Sequence, residues 1–230
     1  MRKKIELQKT MEAITVKFNS LRKETLFNIF LVIFFSVGVA GLSMEFSREY
    51  FIGLMPFSLL LGMGLMFWVQ HSWSRKHVLV FAVIALMGFG VEVAGVLTGE
   101  VFGSYSYGRA LGFKIWGTPP MIGLNWLMLV YAVFVIMNHF RLAVILKIIL
   151  GATLMVLYDL IMEPVAIRLD MWSWGGGDIP LQNYIAWFVI SAVMLGIFYL
   201  AQLNIKNRVA PMLFLVQMGF FLALNVFLIW

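Results

Sequence analysis

The sequence predicts an all-α, polytopic membrane protein: a bundle of seven transmembrane helices with the N-terminus in the cytoplasm and the C-terminus outside. Three observations predict it. The 230-residue chain is 62% hydrophobic and 12% charged, with a mean hydropathy of +0.94. A soluble domain is nearer half apolar and about a quarter charged, and a core of this size leaves too many residues at the surface to hide the excess. Seven apolar runs, each close to the ~20 residues that a spanning helix needs, cover most of the chain. The connections between them alternate between an excess of Lys and Arg and little or none.

In chain order, residues 1–25 come first as a basic segment. Leu7, Met11, Ile14, Phe18 and Leu21 recur there at helical spacing between Lys and Glu. The pattern fits an amphipathic helix on the inner membrane surface, with a solvated basic tail as the alternative. The apolar runs follow at 26–44, 51–70, 78–98, 121–138, 142–162, 184–202 and 211–230. The first is too long for a signal-peptide core and reads as a permanent anchor. Pro164 predicts the end of the fifth helix. Residues 26–230 then form a single seven-helix domain.

Twelve of the 17 Lys and Arg residues lie in the N-terminal segment and the loops after the second, fourth and sixth runs. The other side carries Arg48, Arg109, Lys114 and Arg168, while Lys147 falls inside the fifth run. The positive-inside rule therefore places the N-terminus in the cytoplasm of a cell-membrane protein, and seven crossings leave Trp230 outside. The basic segments suit anionic lipid headgroups. No nucleic-acid partner is expected, because the positive charge is spread over four separate segments.

The two longest connections, 99–120 and 163–183, both fall on the outer side. They read GEVFGSYSYGRALGFKIWGTPP and EPVAIRLDMWSWGGGDIPLQN. Loops of this length are commonly functional or disordered, and these hold too many aromatics for disorder. An interfacial aromatic belt accounts for some of Tyr105, Tyr107, Trp116, Trp172 and Trp174. The dense glycines beside acidic residues point instead to a folded cap over an outward-facing cavity.

Carboxylates within a span are functional candidates by default. Glu92 lies about two-thirds along the third run, roughly 20 Å from its inner end at 1.5 Å per residue. Asp159 and Glu163 lie at the outer end of the fifth, spaced i, i+4 on one helix face. The three acids thus share a depth beneath the two aromatic loops. Gly88, Gly95 and Gly99 lie on the Glu92 side of the third helix, so this face points into the bundle. Asn125, Asn183 and Tyr184 open later spans in the same layer. A buried cluster that only locks the helices together is the structural alternative.

A carboxyl group in an apolar site can stay protonated near neutrality. It can then protonate a carbon–carbon double bond, and aromatic faces can hold the resulting cation. A second carboxylate or an Asn can hold the water that captures it. This chemistry needs neither cofactor nor metal. The chain has no cysteine, and its only histidines, His71, His77 and His139, sit at the inner edge. Thiolate sites and a histidine-rich di-iron centre are therefore excluded. The last run has no lysine for a retinal Schiff base, and no phosphate-binding glycine loop is present.

The run GVEVAGVLTGEVFGSYSYGRALGFKIWGTPPMIGLNW, followed by YDLIMEPVAIRLDMWSW and IPLQNYIAW, resembles the membrane carotenoid-biosynthesis hydratases of the bisanhydrobacterioruberin and γ-carotene or lycopene type. The resemblance spans about residues 85–190. It implies addition of water across the C1–C2 double bond of an acyclic carotenoid ψ end, giving a tertiary alcohol, on a substrate lying in the bilayer. It carries over onto Glu92, Tyr105, Tyr107, Asn125, Trp126, Asp159, Glu163, Asn183 and Trp187. The expected catalytic acids are Asp159, Glu92 and Glu163. The expected substrate contacts are Tyr105, Tyr107, Asn125, Trp126, Asn183, Tyr184, Trp187 and Trp172. Other carotenoid-biosynthesis enzymes, or a second copy of the chain, are candidate partners. Two rivals share these residues: a carotenoid cyclase using the same protonation, and a non-enzymatic carotenoid-binding membrane protein.

Overall fold

A computed structural model describes the backbone of residues 2–70 and 72–229, and the side chains of 22–70 and 72–228. The amphipathic pattern from Leu7 to Leu21 concerns side chains outside the described residues, as do His71 and Trp230. The order of elements is α1 (Arg2–Ser43), α2 (Glu45–Gly53), α3 (Met55–Trp68), α4 (Arg75–Thr98), β1 (Tyr105–Tyr107), α5 (Met121–Asn138), α6 (Val144–Arg168), β2 (Trp172–Trp174), α7 (Leu181–Leu200) and α8 (Val209–Ile229). Among the described residues six helices are long and apolar enough to cross a membrane, and the bent pair α2–α3 makes a seventh crossing if counted as one span. The chain is a multi-pass, all-α membrane protein.

Helix α5 is the axis of the bundle. It packs against α3, α4, α6, α7 and α8. Its residues from Leu127 to Val135 are buried without interruption, as expected for a helix that is apolar all round. The outer helices bury one stripe and expose the other: Leu79 and Leu86 on α4, Ile145 and Leu157 on α6, and Val226 and Phe227 on α8 face away from the core. At one end of the bundle, Asn207 Oδ1 accepts from the Val209 and Ala210 amides and caps α8. Its Nδ2 donates to Tyr131 Oη and to the Met66 carbonyl.

The second apolar run, expected as one helix over 51–70, is two helices bent by 55°. Leu54 joins them, with Pro56 in the first turn of α3. Proline has no N–H to give a continuing helix but is tolerated in a first turn, so a new helix starts there. The corner between α1 and α2 is tied by Arg48, whose Nε donates to the Leu42 carbonyl at 2.9 Å.

Pro164 does not end the fifth run, contrary to the sequence expectation. Helix α6 continues to Arg168 with Pro164 inside it. In the turn that proline disturbs, Asn225 of α8 donates to the Ile161 carbonyl at 2.7 Å. The carbonyl that loses its donor to Pro164 is that of Leu160, one residue before, and bonds from neighbouring helices around an interior proline help bundles tolerate it. Glu163 is therefore held in a helix rather than in a loop, and the second long connection shortens to residues 169–180.

The two long connections meet as an antiparallel pair. Tyr105 faces Trp174, Ser106 faces Ser173 and Tyr107 faces Trp172. Backbone bonds from Gly108 to Met171 (2.8 Å) and from Gly175 to Ser104 (2.8 Å) extend the pairing at both ends.

Candidate active site

Side chains alternate faces along a strand. In YSY and WSW this sends the four aromatic rings into the bundle and leaves Ser106 and Ser173 exposed, their hydroxyls 3.3 Å apart. The inward rings fall directly over three buried carboxyls, and each strand serves a different one.

Glu92 of α4 is 4% exposed. Its Oε2 accepts from the Tyr105 hydroxyl at 2.6 Å and the Tyr107 hydroxyl at 2.7 Å. Its Oε1 accepts from the Trp126 indole N–H at 2.8 Å. Burial pushes both phenols well above their usual range, and the Glu92 carboxylate beside them adds to the shift. Both tyrosines therefore stay neutral and act as donors to Glu92.

Two glycines make this approach possible. A Cβ at Gly88 would lie 2.6 Å from the Trp126 Cβ. One at Gly95 would lie 2.7 Å from Phe102 and 2.9 Å from the Tyr105 hydroxyl. Gly99, at φ +71°, ends α4 in the left-handed conformation that favours glycine and turns the chain toward β1.

Asp159 and Glu163 of α6 are 0% and 1% exposed. Glu163 Oε2 accepts from the indole N–H groups of Trp172 and Trp174, each at 3.0 Å. Asn183 Nδ2 donates to Asp159 Oδ2 at 2.7 Å and reaches Glu163 Oε1 at 3.4 Å. Asp159 Oδ1 is buried and has no hydrogen-bond partner among the described residues. The three acids are thus unequal: Glu92 is saturated by three donors, Glu163 has one oxygen bound twice, and Asp159 keeps one oxygen free.

All three border one cavity, together with Tyr105, Tyr107, Trp172, Trp174, Asn183 and Trp187. The space open to the centre of a water-sized sphere is about 20 Å³, room for a single water molecule. Ile122 and Met162 complete its apolar floor. Trp126 stands behind Glu92 and packs on Trp187, ring centroids 4.3 Å apart.

Of the residues expected at the site, three do not border this cavity: Trp126, which reaches it only through Glu92, Asn125 and Tyr184. Asn125 borders the neighbouring cavity rather than that of the carboxyls. It precedes Trp126 by one residue, and about 100° of helical rotation separates their directions. Tyr184 is half-buried and lines neither cavity; it is turned from Asn183 by the same rotation. Trp174 and Phe102 enter the site although neither was assigned a role from the sequence. The period-two pattern of WSW, matching that of YSY, was the signal for Trp174. Among the described residues no three His, Asp or Glu side chains are arranged to hold a metal ion.

The loop layer is tied to the bend of the second span. Arg109 Nη2 contacts both oxygens of Glu49 on α2, at 2.9 and 2.8 Å, and its Nε lies 3.5 Å from Asp170 Oδ2. The Lys114 ammonium donates to the Tyr107 carbonyl.

The family described as carotenoid biosynthesis protein has a model that matches residues 53–230, well beyond the motif-bearing segment. Bisanhydrobacterioruberin hydratase of Haloarcula japonica is 25% identical over 138 residues, covering 54% of this chain and 45% of that protein. The match therefore spans less than half the length of this curated relative. No solved structure matches the chain. With its helical bundle and its match over most of its length, the chain belongs to the carotenoid biosynthesis protein family.

Proposed function

We propose that this protein is a cofactor-independent hydratase that adds water across the C1–C2 double bond of an acyclic carotenoid ψ end, of the lycopene or γ-carotene type. The observation that carries the reading is the free oxygen of Asp159 in a water-sized cavity walled by aromatic rings. The distant hydratase relative supports the reaction class.

The chemistry divides among the carboxyls by what each already binds. Protonated Asp159 gives its proton to C2, and the C1–C2 π electrons form the new C–H bond. A tertiary cation is left at C1. The ring faces of Trp172, Trp174 and Trp187 stabilise it by cation–π attraction, and the hydrogen-bonded Glu92 supplies an opposing charge. Water held near Glu163 Oε1 and Asn183 attacks C1. Glu163 takes the proton released, and transfer back to Asp159 across the site they share restores the acid. The net change is one water added, with no change in oxidation state. Cation stability sets the regiochemistry, so the protein must orient the chain end and admit one water.

The protein works, in this reading, in the cell membrane with its basic loops against anionic lipid on the cytoplasmic side. The carboxyl site then faces the outer half of the bilayer. Homo-oligomers and contacts with other carotenoid enzymes fit the same setting.

Product mass tests the proposal. The chain is expressed without oxygen in cells that accumulate lycopene or γ-carotene, and the extracted pigment is analysed. A species heavier by one water is expected. An isomer of unchanged mass would establish a cyclase, and unaltered pigment beside folded protein would favour a binding role.

A further inference from the structure

The carboxyl cavity is the end of a longer space. A second cavity, about 70 Å³ on the same measure, shares Ile122, Met162 and Trp172 with the first as common walls. A third, about 260 Å³, shares Phe35, Met55, Ser58 and Phe220 with the second. Each neighbouring pair thus has at least three residues in common. The series runs from the carboxyls to the joint at Leu54. Two residues bordering the third cavity, Val37 of α1 and Leu54, are 53% and 52% exposed, so this end opens sideways onto the lipid face of the bundle.

We propose that these three cavities form one channel that takes the hydrocarbon tail of the substrate from the bilayer, through a lateral mouth between α1, the α2–α3 bend and α8. The inference rests on the hydratase reading for the identity of its occupant, a long unsaturated hydrocarbon chain.

Three features support this occupant. Beyond the carboxyls, the walls of the second and third cavities are mostly apolar, with Phe34, Phe35, Phe51, Phe220 and Phe221 among them, and the methionines Met55 and Met162 can adapt to a chain's shape. Small residues supply the width: a Cβ at Gly38 would lie 3.2 Å from the Phe220 ring, and Ser58 stands where the second and third cavities meet. Lastly, Gln217 borders the middle cavity, and its buried Oε1 has no hydrogen-bond partner among the described residues. A buried acceptor without a donor is costly. The polarised C–H edges of a polyene passing alongside would offset part of that cost.

The bend of the second span then acquires a role. A straight helix over 45–68 would carry one face past α1, whereas the joint at Leu54 splays α2 from α3 and leaves the third cavity between them. The contacts of Arg109 with Glu49 and Asp170 hold α2 to the loop layer beside this mouth.

The test narrows the channel away from the carboxyls. Ser58→Trp is compared with wild type in detergent on lycopene and on a ten-carbon isoprenoid bearing the same terminal double bond. Leu60→Trp, on α3 but exposed and bordering none of the three cavities, is the control. We expect Ser58→Trp to lower kcat/KM on lycopene by at least about tenfold while the short substrate stays within about twofold. Leu60→Trp should leave both unchanged. Equal turnover of lycopene by Ser58→Trp and wild type would overturn the channel, as would equal loss on both substrates by a variant that still melts cooperatively.

If Ser58→Trp does not fold, Gly38→Leu at the mouth takes its place with the same two outcomes. Should wild type hydrate neither substrate, the hydratase reading fails by itself. The channel is then judged on retained pigment, by polyene absorbance of protein purified from lycopene-accumulating cells. Wild type is expected to retain the pigment and Ser58→Trp to lose it, and equal retention by both would refute the channel.

Discussion

Asp159 and Glu163 stand one helical turn apart on α6 and share a single amide, Asn183 Nδ2, at 2.7 Å from one and 3.4 Å from the other. This arrangement couples two acids whose other surroundings differ. Two indole N–H groups hold Glu163 Oε2, while Asp159 Oδ1 is left free. Neither the helix nor the loops alone would distinguish them. The distinction comes from β2, whose two indoles bond Glu163, while Asn183 of α7 reaches both acids.

The amide variants separate the roles. Asp159→Asn keeps the shape and the bond to Asn183 after an amide flip, but it has no proton to give. It should reduce hydration by about 10²–10⁴-fold, the usual worth of a positioned general acid. Glu92→Gln and Glu163→Gln should also lower the rate, each with a melting temperature near that of wild type. Accumulated 1-hydroxy product per folded protein is the measurement. Near-normal turnover in all three variants would sink the acid-catalysis scheme.

Replacing Trp172 and Trp174 by phenylalanine keeps an aromatic wall and removes only the indole donors to Glu163. A buried carboxyl deprived of a donor costs about 1–3 kcal/mol for each bond lost. Each variant should therefore melt earlier, and the double variant should be the least stable. Since the ring faces remain, turnover should fall less than in Trp172→Leu or Trp174→Leu. Thermal unfolding in detergent and product yield check the two halves of this expectation.

Gly88→Ala tests the close approach of α4 and α5. The new methyl would stand 2.6 Å from the Trp126 Cβ, so one of the two helices must move. Overpacking of this kind costs about 1–3 kcal/mol. It also pulls the Trp126 indole from Glu92 Oε1, a bond of 2.8 Å. A fall in melting temperature with a shift in tryptophan fluorescence is expected. Gly90→Ala, where a Cβ meets nothing within 4 Å, should be nearly silent.

Much of the site was legible because its signals are local. The depth of Glu92, Asp159 and Glu163 follows from counting along helices, and their side follows from the i, i+4 spacing and the glycines of α4. That Asn125 borders the second cavity and not the carboxyl cavity, and that Tyr184 lines neither, was not legible for a matching reason. Each is the immediate neighbour of a residue that does reach the carboxyls, and without the partner helices nothing says which of two adjacent polar residues points inward. The role of Pro164 was misjudged because proline's cost was reckoned for an isolated helix. In the bundle, Asn225 of α8 donates to one carbonyl of the disturbed turn, that of Ile161.

By itself the sequence determined the membrane class, the order of the apolar helices, and the three acids beneath two aromatic loops. Hydropathy, helical period and turn residues are properties of neighbouring residues, and they survive in any arrangement of the helices. Only the tertiary structure decided which donors serve which acid. The pairing of YSY with WSW joins segments 67 residues apart, and it puts the tyrosines on Glu92 and one indole pair on Glu163. It also decided that the second span bends and that the carboxyl cavity continues toward the lipid. Those outcomes depend on steric contact between distant side chains, which close packing settles for the bundle as a whole.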